Sequence, residues 1–98
     1  MTITKETKDT TLIVKVSGRI DTTTSPDLEA ELKSSLDGVE TLIFDFQDVE
    51  YISSAGLRVL LFAQKTMNKQ GSMKLICVRS EIMEIFEVTG FTDILTIG

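Results

Sequence analysis

No histidine occurs anywhere in the 98 residues. That removes the commonest general base and the commonest metal ligand, and with them Ser-His-Asp and Cys-His catalysis. Cysteine occurs once, as Cys77, so neither an intrachain disulfide nor a thiolate zinc site is available. In the β-like run Met73-Lys-Leu-Ile-Cys-Val78 that thiol is expected to be buried and inert, because a free cysteine behaves as a small hydrophobe. No apolar run approaches the roughly 18 residues that a membrane span needs, so no membrane partner is expected. Met1-Thr-Ile-Thr-Lys-Glu6 has no apolar signal core and no small-residue cleavage site, which makes a cytoplasmic address the default expectation. Positive charge is also scarce: ten Lys and Arg stand against fifteen Asp and Glu, for a net charge of -5. The basic residues are scattered and form no stripe, which argues against nucleic acid, whose binding rests on neutralising phosphates. A small partner-binding domain fits these absences better than an enzyme.

What is present reads as one domain, residues 1–98, since a second core would leave each half too small to stabilise itself. Apolar residues make up 42% and charged residues 26%, as in ordinary globular chains. Thr2-Ile-Thr-Lys-Glu6 and Thr11-Leu-Ile-Val-Lys-Val16 read as strands joined by a turn at Lys8-Asp-Thr10, the second ending at Ser17-Gly18. Ser25 as cap, Pro26 at the first helical position, and Asp27 and Glu29 in the first turn open a helix. Leu28, Leu32 and Leu36 give it one apolar stripe, and Asp37-Gly38 stops it.

Thr41-Leu-Ile-Phe-Asp-Phe46 is expected to be a strand covered on both faces, followed by a loop around Gln47-Asp48. A second helix begins at Ser53 or Ser54 and runs to about Lys69, with Leu57, Leu60, Leu61 and Met67 on one side and Val59 and Phe62 on the other. Met73 to Val78 is the next strand. Ser80 then caps a short helix bearing Ile82, Ile85 and Phe86, which Gly90 ends, and Ile94-Leu-Thr-Ile97 is a candidate last strand. The order ββαβαβα implies an α/β domain: a mixed, mostly parallel sheet with an antiparallel N-terminal edge hairpin, flanked by about three helices.

The informative stretch is Leu42-Ile-Phe-Asp-Phe-Gln-Asp-Val-Glu-Tyr-Ile-Ser-Ser-Ala-Gly-Leu57. It delivers two serines to a helix start, where unpaired N–H groups and the helix dipole favour negative charge. A phosphate there would be tolerated by the fold, and its charge of about -1.5 to -2 would change the surface a partner sees. Gly56, without a side chain, would let a partner's backbone approach closely. On physics alone, a plain serine cap explains the same residues.

This segment resembles the signature of the STAS domain, the family of anti-sigma factor antagonists. The resemblance lies in Phe44-Asp45-Phe46, Val49, Tyr51-Ile52 and Ser53-Ser54-Ala55-Gly56-Leu57. A second block, Val16-Ser-Gly-Arg-Ile-Asp21 with Leu28 after it, and a third, Gly90-Phe91-Thr-Asp-Ile94, fall in register across nearly the whole chain. The resemblance implies binding to an anti-sigma factor that is also an ATP-dependent serine kinase, with release of a sigma factor. It implies phosphorylation at Ser54 and reversal by a metal-dependent serine phosphatase. The chain would then be substrate rather than catalyst, with no cofactor of its own. The family often places Asp directly before the phosphorylated serine; here Ser53 stands there, and is a second possible acceptor.

Asp21, Ser53, Ala55, Gly56, Arg58, Val59 and Phe62 are the candidate partner-binding residues, with Arg58, Val59 and Phe62 expected on an exposed face beside the serine. Asp21 alternatively caps N–H groups among Thr22, Thr23 and Thr24. Asp45 interrupts an apolar run and needs a hydrogen-bond partner or a place near Ser54. Two other functions compete. One is a STAS subunit of a different complex, such as a stressosome or a lipid-transport ABC system. The other is a small enzyme with Ser54 as nucleophile, disfavoured because no general base accompanies it.

Overall fold

The computed structural model describes all residues, Met1–Gly98. Strands β1 (Thr2–Lys8) and β2 (Thr11–Ile20) form the antiparallel hairpin, turned by Asp9 at φ 55°. Then follow α1 (Ser25–Ser35), β3 (Thr41–Ile52), α2 (Ser54–Gln70), β4 (Ser72–Ile76), α3 (Ser80–Thr89) and a 3-10 turn at Phe91–Asp93. The sheet order is β1-β2-β3-β4, with β2, β3 and β4 parallel. The fold class is the expected one.

Only one face of the sheet is covered. Leu12, Val14, Val16, Leu42, Phe44, Phe46, Met73 and Leu75 are buried on it, under Leu28 and Leu32 of α1, Leu57, Leu60 and Met67 of α2, and Ile82 and Phe86 of α3. Phe46 packs edge-on against Phe44 and tilted against Phe86, with ring centroids 5.9 and 6.4 Å apart. The opposite face carries Ile13, Lys15, Ile43, Asp45, Lys74 and Ile76, and none of these is fully buried. The expectation of a two-faced central strand is therefore corrected: Ile43 and Asp45 share the open face, which is how a carboxylate fits inside an apolar run. Asp45 accepts a hydrogen bond from the Gln47 N–H at 3.0 Å, which supplies its partner.

Both long strands exceed their expected lengths. β2 continues through Ser17 and Gly18 to Ile20, and β3 continues through Gln47 and Asp48 to Ile52. The register steps from Lys15↔Asp45 to Ser17↔Asp48, and from Gly18↔Val49 to Arg19↔Tyr51, so β3 carries an extra residue at each of two bulges. Bulges break the period-2 alternation on which strand reading depends, which is why the segment resembles a loop.

Other boundaries differ as well. Thr24 rather than Ser25 is the N-cap of α1, and Arg79 rather than Ser80 that of α3; neither makes a side-chain cap bond. β4 ends at Ile76 because Cys77 adopts φ 58°, and the thiol is exposed rather than buried. Residues 94–97 form no strand. Ile97 makes one parallel bridge to Leu75, held by Leu75 N–H to Thr96 O and Gly98 N–H to Leu75 O, both 2.9 Å. The tail thus lies along the outer edge of β4.

Candidate functional site

β2 and β3 end level, with Ile20 paired to Ile52. The Ser53 N–H donates to the Ile20 carbonyl at 2.8 Å, which ties the entry of α2 to the end of the neighbouring strand. Ser53 is extended, at φ -93° and ψ 175°, and its hydroxyl accepts from the Gly56 N–H at 3.3 Å. Leu57 N–H donates to Ser53 O at 2.9 Å, closing the first turn. Ser53 is therefore the cap, and its side chain is committed to the backbone. Ser54 is the first helical residue, exposed, and its hydroxyl makes no hydrogen bond.

Gly56 faces inward. A Cβ there would stand 2.7 Å from Ile52 Cγ1, 2.8 Å from Ile20 Cγ2 and 3.2 Å from Ile20 O. Glycine lets α2 sit directly on the strand ends, so its smallness serves the domain's own packing rather than a partner's approach. The two sequence blocks meet here, Ile20 of the first packing against Ile52 and Gly56 of the second.

The loop after β2 forms the second wall. Asp21 Oδ1 accepts from the Thr23 N–H (3.0 Å) and hydroxyl (2.8 Å) and from the Thr24 N–H (3.1 Å), while the Thr24 hydroxyl donates to the Arg19 carbonyl at 2.9 Å. The Asp21 N–H in turn donates to Thr24 Oγ1 at 2.8 Å. The Thr23 hydroxyl foremost, then the Thr24 N–H, hold the Asp21 carboxyl below its usual range. Asp21 thus organises its own loop, with Arg19 Nε 3.8 Å from its other oxygen. The Arg19 guanidinium lies 4.3 Å over the Tyr51 ring, a cation–π pair that bridges the ends of β2 and β3.

Between this loop and α2 lies a shallow cleft of about 240 Å³ lined by Thr22, Ser25, Pro26, Glu29, Ala55, Arg58 and Val59. Ala55 and Arg58 thus open onto the surface beside Ser54. Val59 does not belong to an exposed face: it is 5% exposed, because α1 covers that flank of α2. Phe62 is half-buried, with Lys33 Nζ 5.7 Å from its ring centroid. Thr22, Ser25, Pro26 and Glu29 were not among the expected site residues. Their signal was available only through the packing of α1 on α2, which spacing along the chain does not encode.

A level pair of strand ends, an exposed serine and an open cleft thus lie at one end of an α/β domain. A STAS domain profile matches residues 2–98, and the chain belongs to that family. It is 34% identical over 100 residues to BtrV of Bordetella bronchiseptica, which carries an anti-sigma factor antagonist name; the match covers 100% of this chain and 86% of that protein. It is 33% identical over 86 residues to the anti-sigma-B factor antagonist of Bacillus subtilis, covering 87% of this chain and 79% of that one. Among solved structures, an anti-sigma factor antagonist from Mycobacterium paratuberculosis superimposes with a TM-score of 0.88 at 26% identity, covering 98% of this chain and 83% of the other.

Proposed function

We propose that this chain is an anti-sigma factor antagonist. It binds an anti-sigma factor that is also a serine kinase, frees the sigma factor, and is switched off by phosphorylation of Ser54. The observation that carries this reading is the division of labour between adjacent serines. Ser53 spends its hydroxyl on the Gly56 N–H, whereas the Ser54 hydroxyl is exposed and uncommitted on a turn held by the strand ends. The family membership and the names of the relatives support the same reading.

In the cycle, the kinase transfers the γ-phosphoryl group of ATP to Ser54 Oγ, the hydroxyl proton is lost and ADP leaves. A metal-dependent serine phosphatase later hydrolyses the phosphoserine to serine and inorganic phosphate. ATP and metal belong to those partners. Phosphorylation adds about -1.5 to -2 of charge beside Ala55 and Arg58, and the rigid turn leaves the complex no cheap way to avoid it. Ser53 is the poorer acceptor, since its modification would sacrifice the helix cap. Asp21, Ala55, Arg58 and Phe62 belong to the docking surface in this reading, while Gly56 and Val59 act from within by holding α2 in place.

Pull-down with the cognate anti-sigma kinase tests the proposal: Ser54→Ala should bind constitutively and Ser54→Asp should not bind. Equal recovery of the kinase by both variants would sink it. Mass spectrometry of protein from its native cells should place the phosphate on Ser54.

A further inference from the structure

Helix α2 is chemically one-sided. It carries Arg58, Lys65 and Lys69 and no acidic residue, in a chain whose net charge is -5. At 3.6 residues per turn, Ser54, Arg58, Leu61, Lys65 and Lys69 fall within a stripe of roughly 80°. Leu61 is half-buried, and the four polar residues of the stripe are exposed. Arg58 stands one turn beyond Ser54, about 6 Å along the helix axis, the spacing at which side chains meet. It takes part in none of the three ion pairs of the molecule. An exposed, unpaired guanidinium thus sits one turn from the uncommitted serine hydroxyl.

We propose that Arg58 binds the phosphoryl group carried by Ser54, forming an ion pair along the outer face of α2 in the modified protein. The inference rests on Ser54 being the modified residue. A guanidinium presents paired N–H donors in a fork that matches two phosphate oxygens. The charged groups around the pair are few. Glu29 of α1 lines the same cleft as Arg58 but lies beyond ion-pair distance. Asp21 of the preceding loop is already held by Thr23, Thr24 and Arg19. Lys65 lies about 10 Å further along the axis than Arg58, near one Debye length.

The pairing changes how the switch works. Phosphorylation not only adds charge to the docking surface but also withdraws Arg58 from it. A partner that uses Arg58 loses that contact at the same moment that it meets the phosphate. The phosphatase must then open the pair before it can act.

The test installs phosphoserine at position 54 by genetic code expansion, so no kinase is needed, and follows the phosphate by phosphorus-31 NMR from pH 4 to 8. With Arg58 present, the second phosphate ionisation should lie about half a unit below its value in Arg58→Gln, a modest shift because the pair is exposed and screened. Arg58→Lys should fall between the two, and 1 M NaCl should erase the difference. The Arg58 Nε–H resonance should move with the same midpoint. Equal midpoints for wild type and Arg58→Gln, or an equal shift from Lys65→Gln, would overturn the proposal in favour of a diffuse field. Because the phosphoserine is built in, a protein unphosphorylated in its native cells would refute the proposed switch without affecting this result.

Discussion

Helices α2 and α3 both begin at a serine, both cover the same face of the sheet, and both show an outer face to solvent, yet they are anchored in different ways. The start of α2 is fixed three times: by the Ser53 cap, by the Ser53 N–H on the Ile20 carbonyl, and by Gly56 seated on Ile20 and Ile52. The start of α3 has no side-chain cap, and its order comes from burial of Ile82 and Phe86 and from Gly90 at φ 79° in its C-terminal turn. Their charges are opposite too: α2 bears three cations and no acid, α3 bears Glu81, Glu84 and Glu87 and no base. In the proposed switch, α2 presents Ser54 from a start that is tied to the strand ends. Helix α3 is held instead by its buried face and a clean stop.

Substitutions at the two glycines should separate these helices most widely. Gly56→Val drives a branched side chain into Ile20 and Ile52 and should cost about 3 kcal/mol by overpacking, read from urea denaturation. Gly90→Ala meets open space and should cost only the left-handed backbone penalty of about 1–2 kcal/mol. A larger loss at Gly90 than at Gly56 would reverse the view that α2 is the more tightly anchored. The serines should differ less: Ser53→Ala should cost about 1 kcal/mol through loss of the cap. Ser80→Ala, which removes no side-chain cap bond, should stay within about 0.5 kcal/mol.

The smallest effect should be the acid response of the loop beside α2. Asp21 has a lowered pKa in the folded chain, so its stabilisation is complete above the ordinary carboxylate range and is lost as pH falls through the folded value. Asp21→Asn should therefore lower Tm at neutral pH and converge with the wild type in acid, which flattens the acid limb of a Tm-against-pH profile. An unchanged acid limb would show that Thr23 and Thr24 do not discriminate the carboxylate.

Much of this arrangement is legible before any fold is known, and the parts that are not have identifiable causes. The strand–helix alternation, the hairpin and the placement of Ser53 and Ser54 at a helix start follow from periodicity and breaker residues. The extensions of β2 and β3 do not, because bulges scramble alternation over Gln47 to Tyr51. Val59 misleads because α2 is covered on two flanks, by the sheet and by α1, so its buried arc is wider than a single stripe. Gly56 reads as a space left for a partner until Ile20 is placed beside Ile52. That pairing joins residues far apart in sequence, and helical spacing carries no trace of it. Cys77 belongs to a strand by composition, and only its positive φ turns the thiol out.

The C-terminal tail along β4 has a consequence for life in a crowded solution. An open strand edge is a template onto which another chain can add, and proteins guard such edges with charge or cover. At one border of this sheet, β1 offers Lys5, Glu6 and Lys8 among threonines. At the other, the bridge from Ile97 to Leu75 occupies the backbone of β4 itself. One border is guarded by charge and the other is covered at Leu75 by the chain's own tail, so promiscuous strand exchange is discouraged at each.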